Sequence, residues 1–272
     1  MFREAIARGG VAVVTGGASG VGRVAAERFA AKGLTVVIAD LPGDALDTAA
    51  AEIEGAVAVP TDVSDAAAMA ALADAAFAQG EIAVLMLNAG IAQRSESWGA
   101  PDAWRQMIEV NLFGVINGVQ AFVPRMVEAG RPAAIITTGS KQGITSPPGN
   151  PGYNVTKAGV KMLTENLAHD LRKAEVPISA HLFVPGFTYT GMIARFMPEK
   201  PPAAWTSEET VDYLLAHAAA GDFYILCPDN DVTPERDAKR VQWAAGDITE
   251  NRPALSRWHP DWEAVFKAYE GS

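Results

Sequence analysis

The sequence predicts an α/β protein built on one doubly wound parallel sheet of about seven strands, with helices covering both faces. Short apolar runs rich in β-branched residues, such as VAVVTG (11–16) and TVVIAD (35–40), alternate along the chain with longer stretches of helical periodicity. This alternation indicates βαβ units, which form parallel sheets buried on both faces through right-handed crossovers. The chain has 272 residues and is 49% hydrophobic, which suits a single domain with a large core.

The elements follow one another with only short connections. We expect strands at 11–16, 35–40, 56–63, 82–90, 133–140, 178–186 and 223–228. We expect helices at about 21–32, 45–54, 65–79, 100–130, 153–173 and 207–220, with a kink at Pro124 in the long one.

A polar extension follows this alternating body. The body is expected over residues 1–228 and the extension over 229–272, with helical candidates at 234–245 and 260–270. The extension carries Trp243, Trp258 and Trp262, which are large apolar side chains. We therefore expect it to pack against the body or a neighbouring subunit, covering either the mouth of the active site or a subunit interface.

The composition excludes several classes of function. A net charge of −10 and a pI near 4.9 argue against a nucleic-acid partner, because phosphate binding depends on clustered Lys and Arg. The only cysteine, Cys227, and four histidines without metal-ligand spacing predict no disulfide framework and no metal site. No signal-type segment and no apolar run of about 20 residues is evident, so no membrane partner and a cytoplasmic location are expected.

A glycine-rich turn, TGGASGVGR, follows the first predicted strand. Gly16, Gly17, Gly20 and Gly22 stand at the start of the helix predicted from about Val21, and Ser19 and Val21 are further expected cofactor contacts in the motif. Such a turn lets the backbone approach a pyrophosphate, while the N–H groups of the helix favour its negative charge. The spacing alone also fits a glycine turn without a ligand, although the flanking strand and helix match what a dinucleotide requires.

Asp40 ends the second predicted strand, twenty residues after Gly20. A carboxylate at this place accepts hydrogen bonds from the ribose diol of an adenosine and repels a 2′-phosphate. Neither Ser19 nor Leu41 supplies a cation for such a phosphate. We therefore expect NAD rather than NADP; the alternative is a helix-capping or strand-end acid.

Polar residues also follow two further predicted strands. Asp62 and Val63 end one strand, and Asn88, Ala89 and Gly90 end the next. Ligands of open α/β sheets lie beyond the carboxyl ends of the strands, so these residues are expected to line the same crevice. Either group alone could be turn chemistry.

Tyr153 and Lys157 stand four positions apart in PGYNVTKAGV, which places them on one face of a helix. The spacing fits a catalytic pair, and by itself it fits equally an aromatic ring beside a solvated ammonium group.

Taken in order, these motifs resemble the short-chain dehydrogenase/reductase family in its single-domain, Rossmann-type form. The resemblance covers roughly residues 10–190. Its motifs are TGGASGVG, Asp40, DV at 62–63, NAG at 88–90, Asn111 in VNLFG, Ser140 in TTGS, the Tyr153–Lys157 pair and PGFTYT at 185–190.

The resemblance implies an NAD-dependent oxidoreductase that interconverts a secondary alcohol and a ketone. Tyr153 is then the general acid/base, and Lys157 together with the positive nicotinamide is expected to lower its pKa from about 10. Lys157 also binds the nicotinamide ribose, Ser140 orients the substrate oxygen, and Asn111 holds a relay water. The resemblance adds Pro185, Gly186, Thr188 and Thr190 to the cofactor contacts, with Thr190 the better match for the carboxamide.

The expected substrate is a small hydrophobic or aromatic alcohol or ketone. Residues 191–205, with Met192 and Phe196, correspond to a lid in the family, although their pattern also fits ordinary core packing. Gln142 and Phe187 are further expected substrate contacts. The proline- and glycine-rich loop 141–152 is expected to form a rigid wall of the pocket, with Lys141 solvated rather than bound to a substrate anion.

Other readings remain open from the sequence. A homodimer or homotetramer through the helices at 100–130 and 153–173 is expected from the resemblance alone. A reductase of enoyl or imine bonds uses related parts, and an NAD-binding sensor or scaffold without catalysis would keep the nucleotide motifs. The complete set of Asn111, Ser140, Tyr153 and Lys157 favours carbonyl and alcohol chemistry.

Overall fold

A seven-stranded sheet organises the chain, whose structure is a computed structural model that describes residues 1–194 and 197–271. All adjacent strands are parallel, in the order β3-β2-β1-β4-β5-β6-β7. The strands are β1 (Val11–Thr15), β2 (Thr35–Asp40), β3 (Val57–Pro60), β4 (Ile82–Leu87), β5 (Ala133–Thr138), β6 (Ile178–Val184) and β7 (Tyr224–Leu226). This confirms the predicted doubly wound α/β fold.

Helices connect and cover these strands. They are α1 (Phe2–Arg8), α2 (Gly20–Ala30), α3 (Asp44–Glu52), α4 (Ala66–Gln79), α5 (Pro101–Met107), α6 (Gly114–Ala129), α7 (Gln142–Thr145), α8 (Pro151–Lys173), α9 (Gly191–Ala194), α10 (Ser207–Ala220), α11 (Pro234–Thr249) and α12 (Glu263–Gly271). A π-helical segment (Ile108–Phe113) joins α5 to α6, and a 3₁₀ turn (Ser256–Trp258) lies between α11 and α12.

The core has two layers because successive strand residues point to opposite faces of the sheet. On β1, Val11 and Val13 pack in the layer that contains Phe122 of α6 and Val160 of α8. Ala12 and Val14 pack in the other layer, which contains residues of α2, α3 and α10. Both faces are therefore apolar, and polar chemistry is confined to the strand ends.

The strand order reverses between β1 and β4. From β1 the chain builds outward through β2 to β3, then crosses back to β4 on the opposite side of β1. Loops leaving the carboxyl ends of β1 and β4 consequently diverge and open a crevice at that end of the sheet.

The predicted helix at 100–130 is confirmed as a continuous helical stretch over Pro101–Ala129, but its middle part is π-helical. A π-helical turn at Ile108–Phe113 separates α5 from α6, and α6 continues through Pro124 to Ala129. The widened turn carries Asn111 into the interior, where it is fully buried. Periodicity of 3.6 cannot report a single i→i+5 turn, so the sequence did not indicate it.

The stretch Pro101–Ala129 is long and apolar enough to cross a membrane by length and composition alone, contrary to the expectation that no stretch of the chain qualifies. Close to half of its most apolar window is buried inside the fold. Its helix α6 packs on α4 and on β4. A helix buried in the core of a folded domain satisfies the same criterion of length and composition.

Helix α1 was not predicted, because its seven residues are too few for a periodic signal. Phe2 is buried and meets the ring of His181 edge-on, at 6.1 Å between centroids. Arg3 donates a hydrogen bond to the carbonyl of Ala219, 2.7 Å away. These contacts attach the start of the chain to β6 and α10.

The C-terminal extension forms a small core of its own around Trp243, which is 5% exposed. The Trp243 indole donates to Ser256 and its ring packs against Trp262 and Phe266. The guanidinium of Arg252 stacks on the Trp243 ring at 4.1 Å. The extension also contacts the body, since α11 packs on α7.

Replacing Trp243 with Ala should lower the free energy of unfolding by about 3–5 kcal/mol, because a large buried aromatic leaves a cavity and Ser256 loses a donor. Urea unfolding followed by circular dichroism measures the change. Trp258→Ala is the matched control, because Trp258 is 37% exposed. Equal losses in the two variants would contradict a core centred on Trp243.

Candidate active site

A cleft of about 860 Å³ lies at the carboxyl ends of the strands. It collects most of the residues that the sequence analysis singled out. They are Gly16, Ser19, Gly20, Val21, Gly22, Asp40, Leu41, Asp62, Val63, Asn88, Ala89, Gly90, Ser140, Gln142, Tyr153, Lys157, Pro185, Gly186, Phe187, Thr188, Thr190 and Met192. Asn111 lies beneath the cleft, and the expected substrate contact Phe196 falls outside the described residues.

The glycine turn is closed so tightly that side chains would not fit. Gly16 and Gly20 have φ angles of 65° and 53°, in the left-handed region. A Cβ on Gly22 would overlap the carbonyl oxygen of Gly16, so the first turn of α2 lies directly on the loop. Ser19 is the N-cap of α2 and makes no capping bond with its side chain. The Ser19 hydroxyl and the first N–H groups of α2 are thus available to a phosphate.

The Asp40 carboxylate bridges the end of β2 and the glycine turn. One oxygen accepts from the backbone N–H of Ala18 at 3.0 Å, and the other accepts from Leu41 at 2.8 Å. The carboxylate still lines the cleft. Each oxygen has a second lone pair, so hydrogen bonds from a ribose diol can be added to these two.

Asn88 cross-links three strand ends at the reversal point. Its side-chain nitrogen donates to the carbonyl of Thr15 at 3.2 Å, and its side-chain oxygen accepts from Thr138 at 3.1 Å. The Thr15 hydroxyl in turn accepts from the backbone N–H groups of Asn88 and Ala89. The Asn88 side chain therefore positions β1, β4 and β5, and its contribution to a ligand site is the shape of the crevice.

Asp62 caps its own turn, because its Oδ1 accepts from the backbone and the hydroxyl of Ser64 at 3.0 and 2.6 Å. Val63 is buried against Gly114, where a Cβ would approach a Val63 methyl group to 2.8 Å. Asp62 thus stabilises its own turn, and both Asp62 and Val63 also line the cleft.

Tyr153 lies in the first turn of α8, where Pro151 starts the helix and Asn150 caps it by accepting from the Tyr153 N–H. The Tyr153 hydroxyl is hydrogen-bonded to Ser140, which follows the end of β5. Burial raises the pKa of Tyr153 above its ordinary value of 10.0, and the bond to Ser140 offsets part of this rise. The chain by itself therefore holds this tyrosine protonated at neutral pH.

Lys157 lies one turn further along α8 and is 4% exposed. Its ammonium donates to the carbonyl of Thr138 at 2.8 Å and lies 5.7 Å from the centre of the Tyr153 ring. Burial lowers the pKa of Lys157 from 10.5 to about 8. No carboxylate is among its contacts in the described chain, so the ammonium remains free to donate toward the cleft.

The expectation that Lys157 and a positive nicotinamide together lower the pKa of Tyr153 stays a prediction about the cofactor-bound protein. Desolvation of the phenolate raises the pKa of Tyr153 more than the bond to Ser140 lowers it. The same burial lowers the pKa of Lys157, because it disfavours the charged ammonium. A downward shift requires a further positive charge next to the phenol.

Asn111 holds the loop that follows NAG. Its side-chain oxygen accepts from the Ile91 N–H at 2.7 Å, and its nitrogen donates to the Ile91 carbonyl at 2.9 Å and to Thr156 at 3.2 Å. A Cβ on Gly90 would meet both Asn111 Oδ1 and Lys157 Nζ, at 3.3 and 3.5 Å. Asn111 thus lies near Lys157, with its amide committed to the backbone.

The segment after β6 distinguishes the two candidate threonines. Thr188 is 8% exposed, and its hydroxyl bonds to Thr210 at 3.0 Å and to the Gly186 carbonyl at 3.3 Å. Thr190 lies beside the glycine turn, 3.4 Å from where a Gly20 Cβ would stand. Thr190 therefore has the more accessible hydroxyl in the cleft.

Lys141 is not solvated, contrary to expectation. Its side chain is 20% exposed and its ammonium lies 2.6 Å from Asp237 and 3.6 Å from Asp229. Both carboxylates belong to the C-terminal extension, which no local pattern connects to position 141. The loop that contains it is also partly helical, as α7.

Several cleft residues were not among the individual site residues expected from the sequence. They are Thr61, Ser64, Ile91, Gln106, Glu109, Val110, Thr138, Gly139, Gly191, Ile193 and Asp229. Thr61, Ser64, Thr138 and Gly139 adjoin the recognised strand-end motifs, and this adjacency could have indicated them. Gln106, Glu109 and Asp229 reach the cleft from distant parts of the chain, so only the fold reveals them.

Comparisons with known proteins agree with this geometry. A family profile described as short chain dehydrogenase matches residues 10–201. The 1-deoxy-11-beta-hydroxypentalenate dehydrogenase of Streptomyces exfoliatus is 36% identical over 230 residues, 81% of this chain and 83% of that protein. Galactitol 2-dehydrogenase (L-tagatose-forming) of Cereibacter sphaeroides is 36% identical over 198 residues, 71% of this chain and 76% of that protein.

Among solved structures, a short chain dehydrogenase/reductase from Burkholderia phymatum in complex with NAD superposes with a TM-score of 0.81. It is 31% identical and covers 90% of this chain and 95% of its own. Because the family profile, the curated relatives and the solved structure all match it, this chain belongs to the short-chain dehydrogenase family.

Proposed function

We propose that the protein is an NAD-dependent dehydrogenase that interconverts a secondary alcohol and a ketone, with Tyr153 as general acid/base. The observation that carries this proposal is the arrangement of Ser140, Tyr153 and Lys157 in one cleft. The Tyr153 hydroxyl bonds Ser140, and the Lys157 ammonium lies on the same helix face beside the phenol ring.

Membership of the family makes the chain an oxidoreductase that uses a nicotinamide cofactor and acts on hydroxyl groups of small molecules. The relatives named above are dehydrogenases of hydroxylated compounds, and the Burkholderia phymatum structure contains NAD. Their substrates differ, so the relatives support the reaction and leave the substrate of this chain to be found by experiment.

The residues present fit a nicotinamide dinucleotide. The glycine turn excludes side chains where a pyrophosphate would lie, and the first N–H groups of α2 line the cleft. Asp40 would accept from the adenosine ribose, Lys157 would donate to the nicotinamide ribose, and Thr190 would contact the carboxamide. Bound there in its oxidised form, the cofactor would supply a hydride acceptor and a positively charged ring.

Proton transfer is the part of the reaction that this chain would perform. In the reductive direction Tyr153 gives its proton to the developing alkoxide, while the Ser140 hydroxyl holds the same oxygen by a hydrogen bond. The raised pKa means that Tyr153 carries the proton that this direction requires. In the oxidative direction Tyr153 must first lose its proton, and the charge of Lys157 together with that of the oxidised cofactor supplies the stabilisation that the chain alone does not.

Electrostatics around Asp40 support NAD over NADP. The described residues that line the cleft include two ammonium groups, Lys141 and Lys157. Lys141 is paired with carboxylates and Lys157 bonds Thr138, so both lie at the reactive end. A 2′-phosphate would therefore meet the Asp40 carboxylate with no neutralising cation beside it among the described residues that line the cleft.

A small, largely apolar alcohol or ketone remains the proposed substrate. Phe187, Met192 and Ile193 line the cleft, together with the polar Gln142. We also propose association into a dimer or tetramer through the helices of residues 108–129 and 151–173. Phe113, Val155 and Met162 on these elements are 43–57% exposed, which suits a protein interface.

Tyr153→Phe should lower kcat for ketone reduction by at least about 100-fold, because the acid is removed while the ring is kept. Activity is followed as NADH consumption across a panel of ketones, and NADH affinity by its fluorescence. The affinity should stay within about twofold, since Lys157 and the glycine turn are untouched.

Three other outcomes would decide against the proposal. Full activity of Tyr153→Phe would remove the acid/base role. NADH binding by the wild type without turnover of any ketone or alcohol would favour a nucleotide sensor. Turnover restricted to enoyl or imine compounds would favour the alternative reductase.

Asp40→Ser should raise kcat/KM with NADPH relative to NADH by about tenfold or more, because the repulsion of a 2′-phosphate is lost and the diol loses its acceptor. Steady-state kinetics with both cofactors measure the ratio. Asp62→Ser is the matched control, since that carboxylate lies at another strand end and caps its own turn. An unchanged ratio in Asp40→Ser would refute the assignment.

Lys157→Met should remove a pH-dependent part of the stability. The folded-state pKa of about 8 lies below the ordinary 10.5, so the unfolded chain binds more protons between these values and stability rises with pH there. The wild type should gain up to about 3 kcal/mol relative to Lys157→Met between pH 8 and 10.5. Urea unfolding at several pH values measures this difference, and a constant difference would contradict the burial of an ammonium.

A further inference from the structure

The C-terminal extension reaches the substrate end of the cleft through one buried cluster of charges. Lys141 directly follows Ser140, and its ammonium lies between Asp229 and Asp237. The side chains of these aspartates are 7% and 6% exposed. A charge cluster so shielded from water depends strongly on its internal pairing.

Asp229 connects the cluster to the segment after β6. Its Oδ2 accepts from the Phe187 N–H at 3.3 Å, while its Oδ1 accepts from Asp231 and Val232 at 3.1 and 2.9 Å. A Cβ on Gly186 would overlap the carbonyl of Pro228, so the two chain segments pack backbone to backbone. These contacts hold Asp229 in place independently of Lys141.

Asp237 connects the cluster to α11. It lies in the first turn of that helix, where a negative charge is favoured, and its N–H donates to the carbonyl of the N-cap Thr233. Lys141 is its ion-pair partner among the described residues, and burial raises the pKa of Asp237. Without Lys141 this carboxylate would be buried unpaired.

Lys141 itself begins α7, because its carbonyl accepts from the N–H groups of Ile144 and Thr145. This short helix rests on α8 at the catalytic turn, where a Cβ on Gly143 would overlap the backbone of Lys157. On its other side α7 faces α11, and the ion pair between Lys141 and Asp237 connects the two helices there.

We propose that Lys141 is a positioning residue that ties the Ser140 loop to Asp229 and Asp237, so that the C-terminal extension sets the width of the substrate end of the cleft. Two walls are held by the cluster, namely α7 with Gln142 and the segment with Phe187. The cluster has two carboxylates for one ammonium, so Lys141 has no spare charge for a substrate anion. The expected effect on kinetics rests on the proposed function, whereas the expected effect on the structure of the loop does not.

The kinetic effect should fall on KM. Ser140 is anchored independently, because the preceding Gly139 N–H donates to the Phe183 carbonyl at 2.7 Å. The cofactor end uses the glycine turn and Asp40, which the cluster does not touch. Loosening α7 should therefore weaken substrate binding more than it slows the chemical step.

The test compares Lys141→Met with the double variant Lys141→Met/Asp237→Leu, which removes the pair without leaving a buried charge. Lys141→Arg keeps the pair, and Lys161→Met removes an ion pair at 2.8 Å on α8 away from the cleft. For each protein we would measure hydrogen exchange in residues 141–146, melting temperature, NADH affinity and the kinetics of the best ketone in the panel.

We expect the single variant Lys141→Met and the double variant Lys141→Met/Asp237→Leu to show a KM about tenfold above that of the wild type. Their kcat and NADH affinity should stay within about threefold of the wild type, and hydrogen exchange in residues 141–146 should be faster. The double variant should regain much of the melting temperature lost by the single one while KM stays raised. Lys141→Arg and Lys161→Met should resemble the wild type in KM and exchange.

Three results would overturn the proposal. Recovery of KM and exchange together with the melting temperature in the double variant would reduce Lys141 to a stabilising role. A loss in Lys141→Met confined to ketones that carry a carboxylate would make it a substrate-binding group. If the wild type turns over no ketone, the proposed function fails, while unchanged exchange in Lys141→Met would separately refute the positioning role.

Discussion

The hydrogen bonds of Asn88 at the reversal of the strand order hold together the part of the sheet on which the whole site is built. An all-parallel sheet covered on both faces leaves only its strand ends for polar chemistry, and the ends of β1, β4 and β5 meet at this residue. The glycine turn leaves β1, the NAG loop leaves β4, and Ser140 follows β5. The distances between these three segments depend on the Asn88 side chain. In the sequence, the same side chain belongs to a motif that indicates a cofactor contact.

Burial acts in opposite directions on the two central ionisable groups. It raises the pKa of Tyr153 and lowers that of Lys157, since it penalises whichever form carries charge. The chain alone thus holds Tyr153 protonated and lowers the pKa of Lys157 to about 8. On this account the positive charge of an oxidised cofactor completes the electrostatics that alcohol oxidation needs, and catalysis is coupled to cofactor binding through charge as well as through proximity.

The extension illustrates how a peripheral element reaches a site. Its own core surrounds Trp243, and its link to the body runs through the cluster of Lys141, Asp229 and Asp237. The same region binds the far end of the segment after β6, because Asn230 donates to Pro202 and accepts from the Trp205 indole. The substrate end of the proposed site is consequently bounded by residues that lie between Lys141 and Asp237 in the sequence.

Most of the fold and the cofactor end were predictable because they depend on local features. Strand and helix periodicity, the glycine turn, Asp40 and the Tyr153–Lys157 spacing are written in short stretches, and parallel topology brings their strand ends together. The π-helical turn at Asn111 and the short helices α1 and α7 escaped prediction, since a single turn leaves no periodic signal.

The sequence by itself determined which chemistry-bearing groups the chain has and which edge of the sheet they occupy. Tertiary structure alone decided the charge state and availability of those groups. It turned Lys141 from an apparently solvated lysine into a buried ion-pair partner, committed Thr188 to Thr210, and shifted the pKa of Tyr153 upward. Such outcomes depend on desolvation and on partners distant in sequence, which no local pattern of residues encodes.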